Sequence, residues 1–159
     1  MNESIIIIDF GSQVTKLIAR RIREFGVFSQ IVPFNKVTEK LLNNASIKGI
    51  IFSGGPKSVH EKNSPKIDDY IYEQKIPILG ICYGLQLIAK QFGGKIINSK
   101  EREFGRTKIK LKKKSTLLEN VLFSNKQTQV WMSHSDKISV IPNSFEKIAS
   151  SDNCEFAVI

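Results

Sequence analysis

The segment Gly80-Ile81-Cys82-Tyr83-Gly84 sets a thiol between two glycines, each two residues away, after an apolar run over 76–81 and before a helical pattern. That is the cysteine form of the G-x-S-x-G nucleophile turn. A nucleophile on a sharp strand-to-helix turn takes strained backbone angles, so the residues two away must be small, and Gly80 and Gly84 meet that need. A helix N-terminus favours thiolate over thiol. The backbone N–H of Tyr83, with no acceptor inside the helix, is a candidate oxyanion donor. The pattern therefore points to nucleophilic attack by Cys82. A buried, inert thiol is the commoner fate of a cysteine, but it leaves both glycines unexplained. Cys154, in Asp152-Asn153-Cys154-Glu155-Phe156, lacks that context and reads as a small buried hydrophobe.

A second feature is Ser53-Gly54-Gly55-Pro56, after the strand pattern over 49–52. Ligands of open α/β sheets bind outside such strand ends, and a glycine pair there lets backbone N–H groups approach a substrate oxygen. Gly-Gly-Pro is also an ordinary turn, so the loop gains meaning from the nucleophile turn beside it. It is not a phosphate loop, because the Lys-Ser/Thr continuation is missing. Two histidines are present, His60 and His134. Cys82, His134 and Asp136 have the residue types of a nucleophile–base–carboxylate triad. His60 lies in a polar stretch with Ser58, Glu61, Lys62 and Asn63, and reads as a surface residue.

These residues need a frame. The β-branched run over 5–10 predicts a strand buried on both faces. Val14, Leu17, Ile18, Ile22 and Phe25 then stripe a helix with Ser12 as its N-cap and Gly26 as its stop. Strands are expected over 27–32, 49–52 and 76–81. A helix is expected to open at Ser64-Pro65, with Ile67, Tyr70 and Ile71 facing inward. Leu85, Ile88, Ala89 and Phe92 stripe another helix, stopped by Gly93-Gly94. This alternation predicts a parallel sheet with helices on both faces. Beyond residue 95 the pattern turns to short strands, over 107–112, 128–132, 137–141 and 156–159. They read as a β-rich extension of one domain over 1–159.

The chain has 159 residues, 41% of them apolar and 25% charged, which suits one folded domain and argues against disorder. Two cysteines are too few for a disulfide scaffold. The opening Met1-Asn2-Glu3-Ser4 carries no basic region, and the longest apolar stretch falls far short of the ~20 residues of a spanning helix. A soluble, cytoplasmic domain that does not engage a membrane is expected. The net charge of +9 invites a nucleic-acid reading. Lys108, Lys110, Lys112, Lys113 and Lys114, however, fall on alternate strand positions and a turn, without aromatic interleaving. They read as a solvated strand edge protected from edge-to-edge pairing, not as a nucleic-acid site.

Together the nucleophile turn, the Ser53–Pro56 loop and Asp9-Phe10-Gly11-Ser12-Gln13 resemble a class I (triad-type) glutamine amidotransferase domain. Asn63-Ser64-Pro65, Glu101-Arg102-Glu103-Phe104-Gly105 and Val130-Trp131-Met132-Ser133-His134-Ser135-Asp136-Lys137 narrow the resemblance to the glutaminase domains of GMP synthetases. One departure is Ser135, where that family has glycine. The resemblance implies a flavodoxin-like, three-layer α/β fold with a mostly parallel open sheet. It implies a Cys82 thiolate that attacks the glutamine carboxamide, with the oxyanion held by the N–H groups of Gly55 and Tyr83. Gly54, Gln86, Ser133, His134 and Asp136 fall at substrate-contacting positions. No cofactor is implied in this domain; ATP and magnesium belong to an ATP-pyrophosphatase (synthetase) domain, in the same chain or a separate subunit. That partner would convert xanthosine monophosphate to GMP with the ammonia supplied, within a homodimer.

In the family, base and carboxylate come from a His-Pro-Glu motif, and no such triplet occurs here. His134 is accordingly read as a substrate-site or loop-shaping residue. The expectation is an N-terminal fragment of the domain, truncated before that motif, which is alkylated at Cys82 but turns over glutamine poorly alone. Two other readings compete: an amidotransferase of chorismate, carbamoyl phosphate or CTP chemistry, and a catalytically silent binding module with the same fold.

Overall fold

The computed structural model describes residues 3–121 and 126–159, without the side chains of 99–104, 134 and 135. The chain forms two compact units, Met1–Ile88 and Ala89–Ile159.

The first unit is built on four parallel strands, β1 (Ser4–Asp9), β2 (Phe28–Pro33), β3 (Ile47–Phe52) and β4 (Ile78–Gly80), in the order β2-β1-β3-β4. The chain runs from β1 outward to β2, then returns across β1 to β3. Crossover connections are right-handed, so this reversal sends the connecting segments to opposite faces of the sheet. Strand alternation divides the isoleucines between those faces. Ile7 and Ile51 meet Ala19 of α1 (Thr15–Glu24), with Ile5, Ile18, Ile22 and Ile31 packed around them. On the other face Phe52 meets Tyr72 of the short helix α3 (Tyr70–Glu73) at 6.2 Å between ring centres. Ile6, Ile7, Ile8, Ile50 and Phe52 are almost fully buried. At ~1.5–3 kcal/mol for each large side chain removed from water, this run is the main reason the sheet forms.

Several local expectations need correction. Ser12 does not cap α1: its Oγ accepts from the Val14 N–H at 3.2 Å, a turn before the helix, and the cap position is Val14. The inward face of α1 is also narrower than the apolar spacing implies. Thr15 and Ala19 are buried, whereas Val14, Leu17 and Phe25 are exposed. The small side chains let the helix approach the sheet, and the buried Thr15 donates to Asp9 Oδ1 at 2.9 Å. Ser64-Pro65 does not open a helix; α3 begins at Tyr70, although Ile67 and Ile71 are buried as expected. Helix α2 (Glu39–Leu42) is a single short turn capped by Thr38, whose Oγ1 accepts from the Leu41 N–H. Helix α4 (Tyr83–Gln91) follows β4 with only two residues between them.

The second unit is antiparallel. Long strands β5 (Lys95–Leu111) and β6 (Gln127–Val140) pair along most of their length, and β7 (Ala149–Ser150) joins the other side of β5 at Lys110 and Leu111. Residues 128–132 and 137–141, expected as two strands, form one continuous strand, because pairing with β5 carries the backbone through Ser133 to Asp136. The expected strand at the C-terminal end is a single bridge between Val158 and Ala149. The lysine run lies only partly where expected: β5 is central at Lys110 and Leu111, where β7 pairs with it, whereas the pairing with β7 does not extend to Lys108, and Lys112 follows the strand. Lys110 pairs with Asp152 at 2.7 Å and Lys113 with Glu146 at 2.6 Å. Among the described residues no helix is long and apolar enough to cross a membrane.

Candidate active site

The C-terminal ends of β1, β3 and β4 converge where the strand order reverses, which is where open α/β sheets bind their ligands. Each strand end contributes one turn. After β4, Cys82 has φ +50°. An L-residue in this region is uncommon and strained. Its neighbours show what holds it there. A Cβ on Gly80 would lie 2.7 Å from the Leu85 Cα, and one on Gly84 would lie 2.5 Å from the Phe52 Cβ. Both glycines are therefore required by close backbone approach, as the spacing implied. The Gly84 N–H donates to Ser53 O at 3.1 Å, and the Ile81 N–H to Phe52 O at 2.9 Å, so the nucleophile turn is tied to the end of β3.

The turn after β3 lies directly against Cys82. A Cβ on Gly54 would stand 3.6 Å from the Cys82 Cβ and 3.5 Å from Ser12 Oγ, so all three turns meet at this glycine. A Cβ on Gly55 would meet Phe10 O at 2.8 Å and the Tyr83 ring at 3.4 Å. Beneath them Phe10 packs on Phe34, Phe52 and Tyr83, with ring centres 6.0, 5.6 and 5.3 Å away. Phe10 stood in the sequence within the Asp9-Phe10-Gly11-Ser12-Gln13 motif, but nothing there showed which rings it would meet. Tyr83 itself is buried and its hydroxyl donates to Pro65 O, which ties the Asn63-Ser64-Pro65 stretch to the start of α4. Burial pushes the Tyr83 phenol up, against a hydrogen bond from Ser64 that lowers it. Gln86 is buried one turn into α4, and its N–H donates to Cys82 O at 3.0 Å.

Cys82 reaches solvent, yet enough protein surrounds its Sγ that desolvation pushes the thiol above its ordinary value of 9.0. The lowering expected from the helix N-terminus is not the outcome. A terminal dipole stabilises a thiolate only modestly, and removal of water from the sulfur works in the opposite direction. A cationic partner would be needed to reverse the balance.

The remaining sequence-derived candidates belong to the second unit. Ser133 is exposed on β6, its backbone paired with Phe104. The His134 backbone pairs with Glu103, while its side chain lies outside the described residues, as do those of 101–104. Asp136 is buried and accepts from Asn98 Nδ2 at 3.0 Å. His60 is exposed and its N–H donates to Ser58 Oγ at 3.2 Å, in keeping with a surface role. Cys154 is buried, and its N–H donates to Ser151 Oγ at 2.9 Å. Among the described residues no three His, Cys, Asp or Glu side chains cluster so as to hold a metal ion.

Comparison with known proteins places these features. The family model for class-I glutamine amidotransferases matches residues 6–159. A glutamine-hydrolysing GMP synthase from Agrobacterium fabrum is 49% identical over 156 residues, covering 98% of this chain and 30% of that protein. One from Bradyrhizobium diazoefficiens is 47% identical over 158 residues, 99% of this chain and 28% of that protein. The chain thus spans less than a third of the length of these relatives. Among solved structures, a Thermoplasma acidophilum protein described as one subunit of a GMP synthase superposes with a TM-score of 0.80 at 32% identity, over 98% of this chain and 76% of its own. A glutamine amidotransferase from Thermotoga maritima superposes with a TM-score of 0.77 over 98% of this chain and 70% of its own; at 17% identity it bears on the fold alone.

Proposed function

Because this chain belongs to the class-I glutamine amidotransferase family, with its flavodoxin-like α/β fold, we propose that it hydrolyses glutamine through Cys82 and supplies the ammonia for GMP synthesis. The observation that carries the reading is the left-handed Cys82 on a strand-to-helix turn closed by Gly80 and Gly84. The Cys82 thiolate adds to the carboxamide carbon, and the carbonyl electron pair moves onto oxygen. The N–H groups of Gly55 and Tyr83 receive that oxyanion. Collapse breaks the C–N bond; the nitrogen takes a proton and leaves as ammonia, and a glutamyl thioester remains. Water then cleaves the thioester to glutamate and restores the thiol.

Gly54, Gln86, Ser133, His134 and Asp136 hold the substrate in this reading. The histidine that moves the protons comes from outside residues 1–159, since the sequence has no His-Pro-Glu triplet. Residues 1–159 act as one amidotransferase domain, which alone reacts with electrophiles at Cys82 but turns over glutamine poorly. The ammonia passes to an ATP-pyrophosphatase domain or subunit that activates xanthosine monophosphate with ATP and magnesium. The full protein works in the cytoplasm as a homodimer.

A glutamine-analogue diazo ketone, followed by mass spectrometry, tests the nucleophile. An adduct on Cys82, absent after Cys82→Ser, is expected; no adduct on Cys82 favours a silent module of the same fold. For the larger reading, the full-length protein is expected to form GMP from xanthosine monophosphate, ATP and glutamine. Its Cys82→Ser variant should do so only with added ammonia. Failure to use xanthosine monophosphate would turn the assignment toward another amidotransferase pathway.

A further inference from the structure

Ser53 is fully buried beside the nucleophile turn, and the proposed reaction gives its hydroxyl no task. Its Oγ accepts from the Phe10 N–H at 3.2 Å and donates to Gly54 O at 2.9 Å. The Gly54 carbonyl and the Gly55 N–H belong to one trans peptide, so they point in opposite directions. Whatever fixes the carbonyl fixes the N–H. We propose that Ser53 is a positioning residue that sets the facing of the Gly54–Gly55 peptide, and thereby presents the Gly55 N–H as a hydrogen-bond donor to the reacting carbonyl. This rests on the reading of that N–H as half of the oxyanion hole.

A peptide between two glycines is the least restrained kind of linkage. Here glycine is obligatory at position 55, because a Cβ would collide with Phe10 O. The close approach that builds the site thus removes the side chain that would have stiffened it. Ser53 restores the restraint by a hydrogen bond. A serine hydroxyl has a single hydrogen. Since the Phe10 N–H already donates to Oγ, the hydroxyl hydrogen is directed to the Gly54 carbonyl. With the peptide turned over, the carbonyl would lose its buried donor and would stand where the N–H now stands, presenting a negative dipole to a developing oxyanion. Donation to the carbonyl also polarises the peptide and strengthens its N–H as a donor. Phe10 N–H, Ser53 Oγ and Gly54 O therefore form a relay from the end of β1 to the oxyanion loop.

The test uses the full-length protein and three reagents: glutamine, glutamate γ-semialdehyde and iodoacetamide. Water opens the cyclic imine with which this aldehyde is in equilibrium, and the open-chain form takes up the Cys82 thiol as a thiohemiacetal, in which the S–C bond forms and the carbonyl oxygen gains the thiol proton. It probes the oxyanion hole without a leaving group. Iodoacetamide alkylates Cys82 with loss of iodide and develops no oxyanion. Ser53→Ala is expected to lower kcat about 30-fold with KM within about twofold, below the 100-fold or more seen when an oxyanion donor is deleted outright. Binding of the aldehyde should weaken by a similar factor, while the iodoacetamide rate stays as in the parent. Ser53→Cys, nearly isosteric with a weaker donor, should fall between, and it decides the matter if Ser53→Ala does not fold. Parental kcat and aldehyde affinity in Ser53→Cys and in any folded Ser53→Ala would overturn the proposal. So would an equal loss of iodoacetamide reactivity, which marks general disruption. If the parent protein itself neither hydrolyses glutamine nor loses activity in Cys82→Ser, the amidotransferase reading fails instead, and that result is separate from the behaviour of Ser53.

Discussion

At the turns after β1, β3 and β4, position is set by backbone atoms too close to admit a Cβ at Gly55, Gly80 or Gly84. Along β5 and β6, position is set by cross-strand register, and Trp131 stands out in solvent with Arg106 5.6 Å from its ring centre. The first arrangement places main chain, with the facing of the Gly54–Gly55 peptide held by the Ser53 hydroxyl. The second displays side chains, which can be exchanged without disturbing the ladder. Backbone placement of the first kind is fixed by sterics, whereas side chains of the second kind are free to vary.

Core truncations probe the contrast most strongly. Ile7→Ala, in the centre of the parallel sheet, is expected to cost about 4 kcal/mol, and Ile109→Ala on β5 about 2 kcal/mol. Urea unfolding monitored by far-UV circular dichroism would show equal losses if the hairpin unit were packed as tightly as the first. Next in size is glycine replacement. Gly84→Ala should destabilise by about 3 kcal/mol through collision with Phe52. Gly105→Ala, at φ +99° with nothing within 4 Å of the added Cβ, should lose only about 1 kcal/mol. A reversed ranking in thermal melts would remove the steric account of the site.

Cys82→Gly is a smaller and opposite test. Relief of the left-handed backbone should stabilise the protein by about 0.5–1 kcal/mol while abolishing labelling. A lower melting point would show that Cys82 carries no strain. The smallest effect concerns pH. Because burial raises the folded-state thiol, the folded protein holds its proton to higher pH than the unfolded chain does. Iodoacetamide alkylation of Cys82 in the isolated 159-residue chain should therefore have a midpoint above 9.0. The thiol's contribution to stability is complete below the unfolded-state value and is lost as pH rises through the folded one. A midpoint well below 9 would point to a cationic partner for the sulfur within these residues.

The parallel strands and the nucleophile turn were legible because both rest on local necessity. Four consecutive isoleucines suit a strand covered on two faces, and glycines at two residues on either side of Cys82 answer a steric demand of that turn. The inward face of α1 was not legible, since apolar spacing cannot show that Thr15 and Ala19 approach the sheet while Leu17 and Phe25 do not. The helix expected at Ser64-Pro65 gave way to a loop held by the Tyr83 hydroxyl, a contact 18 residues distant in sequence. Ser53 opens the Ser-Gly-Gly-Pro motif without a visible part in it, because its value lies in bonding Phe10, 43 residues earlier.

The sequence by itself therefore determined the strand-to-helix turn at Cys82 and the parallel architecture around it. Short-range sterics and hydrophobic periodicity act between residues close along the chain and leave their mark in composition and spacing. Only the tertiary structure decided that Phe10, Gly54, Gly55 and Tyr83 lie together, that Ser53 bonds across from β3 to the turn after β1, and that the Cys82 thiol is raised. Each of these depends on which strand ends become neighbours and on how much water they exclude, quantities that arise only when distant segments pack.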